Sequence, residues 1–375
     1  MIAGELARRG ARARLYLRPT GFVDAPFHYE GQTLRLAGGL LWFSQVEAIA
    51  ADAEGRFATA LVPVERIEDF IDSLPEPHRA TGRLTLDRLL APRPALTLGP
   101  RTVRLDQPQI LGILNVTPDS FSDGRGLGEA PAEAAARGVA MAEAGAAIID
   151  LGGESTRPGA KPVWEGDEIA RTVPVAERLA GAGLAFSIDT RKAAVMRAAT
   201  AAGAALINDV SALLHDPRSI ETVAALSCPV VLMHHQGEPE TMQRDPRYRD
   251  PLLDVYDWLA ARIEAVVAAG IARSRLIVDP GIGFGKALRH NLAILNGLSL
   301  FHGLGTPLLL GASRKRTIGA LAGEAPVEQR LGGSVALALI GAGQGVQLLR
   351  VHDVFETVQA VRVWRGLRDA ALTPA

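Results

Sequence analysis

An apolar run, Ile110–Leu114, breaks abruptly into Asn115-Val116-Thr117-Pro118-Asp119-Ser120-Phe121-Ser122-Asp123-Gly124. A buried strand that ends in a turn-rich loop with a carboxamide, two carboxylates and two serines offers hydrogen-bonding and charged groups to a ligand. The event recurs seven more times. Later apolar runs deliver Asp150 with Glu154-Ser155-Thr156-Arg157, then Asp189, Asn208-Asp209, His234-His235-Gln236, Asp279, Ser313-Arg314-Lys315, and Arg350-Val351-His352-Asp353. Polar residues follow strands in every protein, which accounts for one or two of these. Eight of eight, mostly carboxamide, carboxylate or cationic, point to one shared binding face.

The elements that must carry these groups are short apolar runs alternating with Ala-rich helical stretches. The runs are Ile110–Leu114, Ala147–Leu151, Ala185–Ile188, Ala204–Ile207, Pro229–Met233, Leu276–Val278, Pro307–Leu310 and Val346–Leu349. They are continuous rather than alternating, as strands buried on both faces are. Helices are predicted at Pro131–Ala144, Asp167–Ala180, Lys192–Ala201 and Leu252–Ala269, with Gly145, Gly203 and Gly270 closing several repeats. The fold class is therefore α/β. An open doubly wound sheet is the alternative, but eight regular units favour a closed (β/α)8 TIM barrel, where chemistry gathers at the strand C-termini.

Residues 1–95 lack this rhythm and are predicted as an additional N-terminal α+β segment, with 96–375 as the barrel. The segment shows a strand at Arg14–Leu17, an apolar piece at Leu40–Phe43 and a helical piece at Val64–Leu74. No function is assigned to it. Leu96–Leu98 and Val103–Leu105 flank Gly99-Pro100 as a hairpin that could plug the barrel bottom.

A net charge of −1 gives no global basic field, so nucleic acid is not an expected partner. The single cysteine, Cys228, excludes an internal disulfide framework and a clustered-cysteine metal site. No apolar stretch has the length of a membrane span. The N-terminal arginines accompany Glu5 and no apolar core segment, so a cytoplasmic protein is expected. Gly281-Ile282-Gly283-Phe284-Gly285-Lys286 imitates a phosphate loop, but Ala287 stands where Ser or Thr is required. His234 and His235 are adjacent on a strand end and point to opposite faces, which disfavours a shared metal.

From Ile110 onward the chain closely resembles the dihydropteroate synthase family, whose members fold as pterin-binding TIM barrels. The residues that carry the resemblance are Ile113–Gly124, Asp150–Gly159, Ser187–Lys192, Asn208-Asp209, Leu232-Met233-His234, Asp279–Lys286, Ser313-Arg314-Lys315 and Arg350–Asp353, in complete order. Residues 1 to about 95 have no counterpart in the short family members. The resemblance implies a reaction of (7,8-dihydropterin-6-yl)methyl diphosphate with 4-aminobenzoate to give 7,8-dihydropteroate and diphosphate. It also implies Mg2+, a homodimer and sulfonamide sensitivity.

The residue types suit that chemistry. Asp279 can pair with the guanidine-like pterin edge, with Asn208 beside it and Met233 as an apolar surface for the ring. Lys315 can reach the ring carbonyl or N5. Arg350 and His352 share one side of a strand and make a cationic end for diphosphate. Asn115 can give an oxygen to Mg2+. Asp189 is the candidate to stabilise the cation of a dissociative, SN1-like path. Gly311 is grouped with the substrate contacts. Loops after Asn115 and after Gly153, the latter with Thr156 and Arg157, are expected to close over the intermediate. Phe121, Pro158 and Phe284 would form the benzoate slot, and Arg157 with the helix start after Lys315 would face the carboxylate. Asp150 and Glu154 are read as bracing residues, and Arg314 as equally suited to a structural acid. His235 and Arg316 depart from the family, which often has Met and a small hydroxyl residue there.

Two other classes compete. A pterin-binding methyltransferase domain serving a corrinoid partner shares the barrel and pterin carboxylate, but needs neither the Ser-Thr-Arg-Pro loop nor Arg-x-His. An inactive binding protein would have lost Asn115, Asp189, Lys315 or Arg350, and all are present.

Overall fold

The computed structural model describes residues 2–117, 131–155, 162–237 and 241–373. Asp119, Phe121, Asp123, Thr156, Arg157, Pro158 and Gly159 lie outside them.

The first strands are β1 (Arg14–Val23), β2 (Leu34–Arg35), β3 (Trp42–Asp52) and β4 (Gly55–Pro63). β3 pairs antiparallel with β1 along one edge and with β2 and β4 along the other. Helices α1 (Ile2–Arg9), α2 (Ile67–Asp72) and α3 (His78–Leu90) complete this part. Its core joins Leu6, Leu17, Phe43, Val46, Ile67, Ile71 and Leu89. The sheet is larger than its sequence suggests. β1 runs past Leu17, Leu40–Phe43 covers only the start of β3, and β4 was not anticipated. The stretch Val46–Asp52 holds three Ala and one Glu, which favour helix, and pairing on both edges of β3 overrides that preference.

A short hairpin follows, β5 (Leu96–Leu98) with β6 (Arg101–Val103), so its second strand begins two residues earlier than expected. Eight parallel strands then alternate with helices. They are β7 (Gln109–Asn115), β8 (Ile148–Gly152), β9 (Phe186–Asp189), β10 (Leu206–Asp209), β11 (Val230–Met233), β12 (Leu276–Asp279), β13 (Leu309–Leu310) and β14 (Leu348–Val351). The helices are α4 (Pro131–Glu143), α5 (Glu165–Gly181), α6 (Ala193–Ala201), α7 (Ser219–Ala225), α8 (Pro251–Ala268), α9 (Leu288–Asn296), α10 (Arg316–Leu321), α11 (Leu331–Ala342) and α12 (Val354–Leu372). Each strand pairs with its sequence neighbour, β14 returns to β7, and a parallel bridge between Val278 and Leu308 links β12 to the start of β13. The sheet is thus a nearly closed (β/α)8 barrel with the N-terminal segment as an addition.

Local chemistry fixes the elements. Asp250 caps α8 by accepting from Leu252 N and Leu253 N, both at 3.2 Å, with Pro251 in the first turn. The apolar strand faces pack against the helices in one continuous core.

The barrel interior is layered. Leu111, Ile148, Ala185, Leu206, Val231, Ile277, Leu309 and Leu348 pack together with Leu96, Leu98, Val103 and Leu105 of the hairpin segment, so the hairpin does plug the bottom. Because strand side chains alternate, the residue two further along each strand returns to the same face. Those residues are Ile113, Asp150, Ser187, Asn208, Met233, Asp279, Gly311 and Arg350. One step toward the mouth exchanges a purely apolar layer for one holding two carboxylates, a carboxamide and a guanidinium.

Candidate active site

Asp150 is the hub of the charged layer, and it is fully buried. Its Oδ1 accepts from Ser187 Oγ at 2.5 Å, and its Oδ2 accepts from Asn208 Nδ2 at 3.1 Å and Arg350 Nε at 2.6 Å. Arg350 extends the chain by donating Nη2 to Asp189 Oδ2 at 2.6 Å. The other Asp189 oxygen, Oδ1, is buried with no hydrogen-bond partner among the described residues. Burial pushes the Asp189 carboxyl above the usual carboxylate range, against the pull of Arg350, whose charge is shared with Asp150. Burial also works against the Arg350 charge, but Asp150 and Asp189 outweigh it and hold the guanidinium protonated. An acidic oxygen left unsatisfied beside a fixed cation is ready to accept from a ligand N–H or to face a developing positive charge.

Asp279 ends β12, with Oδ1 accepting from Gly281 N at 2.7 Å in a side-chain-to-backbone turn. Gly281 has φ +67°, and a Cβ there would overlap the His234 carbonyl oxygen, so only glycine fits. Burial raises the Asp279 carboxyl and Lys315 opposes it. Lys315 donates to Ile282 O and lies 4.6 Å from the Phe284 ring centroid. Burial lowers its ammonium to about 8, with Asp279 pulling the other way. Asn291 Oδ1 accepts from Gly283 N at 2.8 Å and steadies the same turn.

At the far side Ser313 Oγ meets His352 Nδ1 at 3.0 Å. Arg314 is paired with Asp353 through Nε at 3.0 Å, the structural alternative anticipated for it. Glu154 does brace its loop, accepting from Val163 N at 3.0 Å and pairing with Arg191 at 3.2 Å and Lys192 at 3.0 Å. His234 is buried against Lys286 while His235 Nδ1 meets Gly237 O at 3.1 Å, so the two histidines are separately engaged.

A cavity of about 1120 Å³ opens at this mouth. Asn115, Asp189, Phe284, Lys315, Arg350 and His352 line it together, and the exposed Arg316 sits on its rim. Asn208, Met233, Asp279 and Gly311 are not on its wall. They lie behind it: Asn208 is bonded to Asp150, which pairs with the lining Arg350, Asp279 and Met233 pack against Gly281, and Gly311 sits beside Asp279 and Arg350. Thr156 and Arg157 fall outside the described residues. Ser187 and Lys286 stand in the sequence motifs but carry no site role there, and Asn291 belongs to none of them. Ser187 carries a readable signal, since it stands two residues before Asp189 on the same face.

Magnesium can be tested against the donor set. Among the described residues no group of three or more His, Cys, Asp or Glu is placed to hold a metal. Asn115 does present a carboxamide to the cavity. One neutral oxygen fits Mg2+, which keeps several waters and takes phosphate oxygens, and does not fit a metal needing a full protein cage.

Residues 111–352 match the family model of pterin binding enzymes. The dihydropteroate synthase of Escherichia coli K12 is 47% identical over 260 residues, which cover 69% of this chain and 91% of that protein. The Yersinia pestis dihydropteroate synthase, solved as a sulfonamide drug complex, superposes with a TM-score of 0.70 at 48% identity, covering 73% of this chain and 99% of that one. The Xanthomonas albilineans dihydropteroate synthase in complex with 7,8-dihydropteroate gives a TM-score of 0.67 at 46% identity, with 73% and 99% covered. The matched span begins with the barrel and takes in every charged group of the mouth, and the chain belongs to the dihydropteroate synthase family of pterin-binding enzymes.

Proposed function

We propose that this chain joins (7,8-dihydropterin-6-yl)methyl diphosphate to 4-aminobenzoate, yielding 7,8-dihydropteroate and diphosphate as a transferase of folate biosynthesis. The observation that carries the reading is the interleaving of Asp150, Asp189 and Asp279 with Arg350 and Lys315 at one barrel mouth. A pterin needs acceptors for its amine and ring N–H groups, and a diphosphate needs cations. The Xanthomonas albilineans enzyme holds 7,8-dihydropteroate and the Yersinia pestis enzyme a sulfonamide drug, which supports the same ligands here.

In this reading Asp279 and Asn208 receive the pterin edge, Met233 and Gly311 shape the ring's slot, and Lys315 swings from Ile282 O to the ring carbonyl or N5. Arg350 and His352 face the diphosphate. Asn115 would hold Mg2+, which when bound supplies positive charge at the leaving diphosphate. The C–O bond breaks with its electron pair leaving on diphosphate. Asp189 Oδ1, without a partner among the described residues, faces the resulting cation. The aryl amine then attacks, and its proton is lost to solvent or the departing diphosphate. Phe284 walls the benzoate slot, with Thr156 and Arg157 as further contacts and Arg316 on the rim. The six-residue α10 is too short to contribute much dipole, so side-chain cations carry the carboxylate.

The division of the chain near residue 95 and assembly as a homodimer belong to the same reading. Ile340 on α11 and Phe355, Val363 and Leu367 on α12 are exposed, the last three along one helix face, as a self-complementary interface requires. Among the described residues no helix is long and apolar enough to cross a membrane.

The test is direct. Purified protein, the pterin diphosphate, radiolabelled 4-aminobenzoate and Mg2+ are expected to yield labelled dihydropteroate. Absence of product under conditions where a family relative turns over would overturn the assignment. A methyltransferase domain would instead pass a methyl group from a folate to a corrinoid, and no observation here favours it.

A further inference from the structure

Lys286 ends the glycine-rich segment that fails as a phosphate loop, and only 2% of it is exposed. Its Nζ is surrounded by acceptors. It lies 2.8 Å from His234 Nδ1, 2.9 Å from Gly281 O, 3.0 Å from Phe284 O and 3.3 Å from His234 O. Two of these carbonyls belong to the turn between Asp279 and Lys286, and the third ends the neighbouring strand. The nitrogen therefore ties β11 to the turn that follows β12. That turn supplies Gly281 N to Asp279 and Ile282 O to Lys315.

The charge count gives a second, independent argument. Of the buried carboxylates around the mouth, Asp209 is held by Ser211 and Leu213 and Glu154 by Arg191 and Lys192, which leaves Asp150, Asp189 and Asp279 facing Arg350 and Lys315. Arg314 on the cavity wall is paired with Asp353, and Arg316 is exposed on the rim. Without Lys286 the set is left with one uncompensated negative charge, which a low-dielectric site tolerates poorly. With Lys286 it is three against three. We propose that Lys286 is a positioning residue for the pterin half of the reaction, clamping the Gly281–Gly285 turn and balancing the charge of Asp279.

Burial alone pushes the Lys286 ammonium well down, and Lys315 adds to this while Asp279 opposes it. The geometry argues for the protonated form. Three of the four partners are carbonyl oxygens, which only accept, and a neutral amine has just two hydrogens to give. His234 meets it as the neutral ring, since burial and the Lys286 charge both lower its pKa. The charged and titratable groups facing Lys286 are His234 from β11, Asp279 from β12, His290 from α9 and Lys315 before α10.

The inference rests on Asp279 being the pterin carboxylate. The experiment compares wild type, Lys286→Met, Lys286→Gln and Asp279→Asn. It measures calorimetric affinity for a free pterin, affinity for inorganic diphosphate, and the pH profile of kcat/KM for the pterin diphosphate. Lys286→Met is expected to weaken pterin binding about tenfold or more, to leave diphosphate within about twofold, and to move the acid limb up by about one pH unit. The sign follows because removing a nearby cation favours protonation of Asp279. Lys286→Gln, which keeps donors without charge, is expected to recover thermal stability but keep the shifted limb. Pterin affinity within twofold and an unmoved limb, in either variant, would overturn the proposal. Where neither variant folds, the nitrogen resonance of Lys286 in the wild type decides, because a neutral amine at pH 7 contradicts the charge balance. Unchanged pterin binding in Asp279→Asn would instead defeat the pterin assignment itself.

Discussion

The two ends of one barrel are built from the same strands and do opposite things. At the bottom, Leu96, Leu98, Val103 and Leu105 of the hairpin segment meet a ring of strand residues without a charged group. Two residues further along, the strands present Asp150, Ser187, Asn208, Asp279 and Arg350. The bottom gains free energy by removing apolar surface from water. The mouth gives some back by holding carboxylates and cations in a low-dielectric site. Stability and function are thus separated by one turn of the strand alternation, and substitutions at the two ends should separate in the same way.

The sharpest break is expected at Asp189. Asp189→Asn should lower kcat by about 10²–10³-fold, on the scale of a lost electrostatic contact to the transition state, with diphosphate affinity little changed. Equal losses in kcat and diphosphate binding, read from steady-state kinetics, would assign Asp189 to ground-state binding instead. The opposite end should answer in stability alone. Leu98 is fully buried, and Leu98→Ala should cost about 3 kcal/mol by chemical denaturation while KM and kcat hold at temperatures where the protein stays folded.

Arg350 is the point where the two kinds of effect meet, because it serves the ligand and also neutralises Asp150 and Asp189. Arg350→Ala should raise KM for the pterin diphosphate by about tenfold or more and also lower Tm. Arg350→Lys should restore much of Tm but less of KM, since an ammonium cannot form the two-armed contact. The smallest effect is in pH. With Lys315 at about 8, activity should fall several-fold as pH rises through that value and the ammonium is lost. Lys315→Arg should carry this limb to higher pH, as seen in a kcat/KM profile.

The fold was legible because strands buried on both faces leave uninterrupted apolar runs, and all eight appear within two residues of their expected places. Residues 46–52 were not, because Ala and Glu in a two-sided strand carry the composition of a helix. The site was legible where chemistry sits on side chains at strand ends, as at Asn115, Asp189, Asp279 and Arg350. It was not where the fold makes the partnership. Arg350 and Asp150 are separated by 200 residues and meet at 2.6 Å, and only barrel closure brings them together. Lys286 closes a glycine motif that fails as a phosphate loop at Ala287, and its own role is not legible there because most of its acceptors are backbone carbonyls, which leave no mark in sequence.

The central claim is that the acidic floor of the mouth grips a pterin by its hydrogen-bonding edge. Isothermal calorimetry of a free pterin against wild type and Asp279→Asn at neutral pH tests it most directly. The account predicts measurable binding by wild type and a loss of about 30-fold or more in the variant, the scale of one charge-assisted pair. Equal affinities for the two proteins would contradict it.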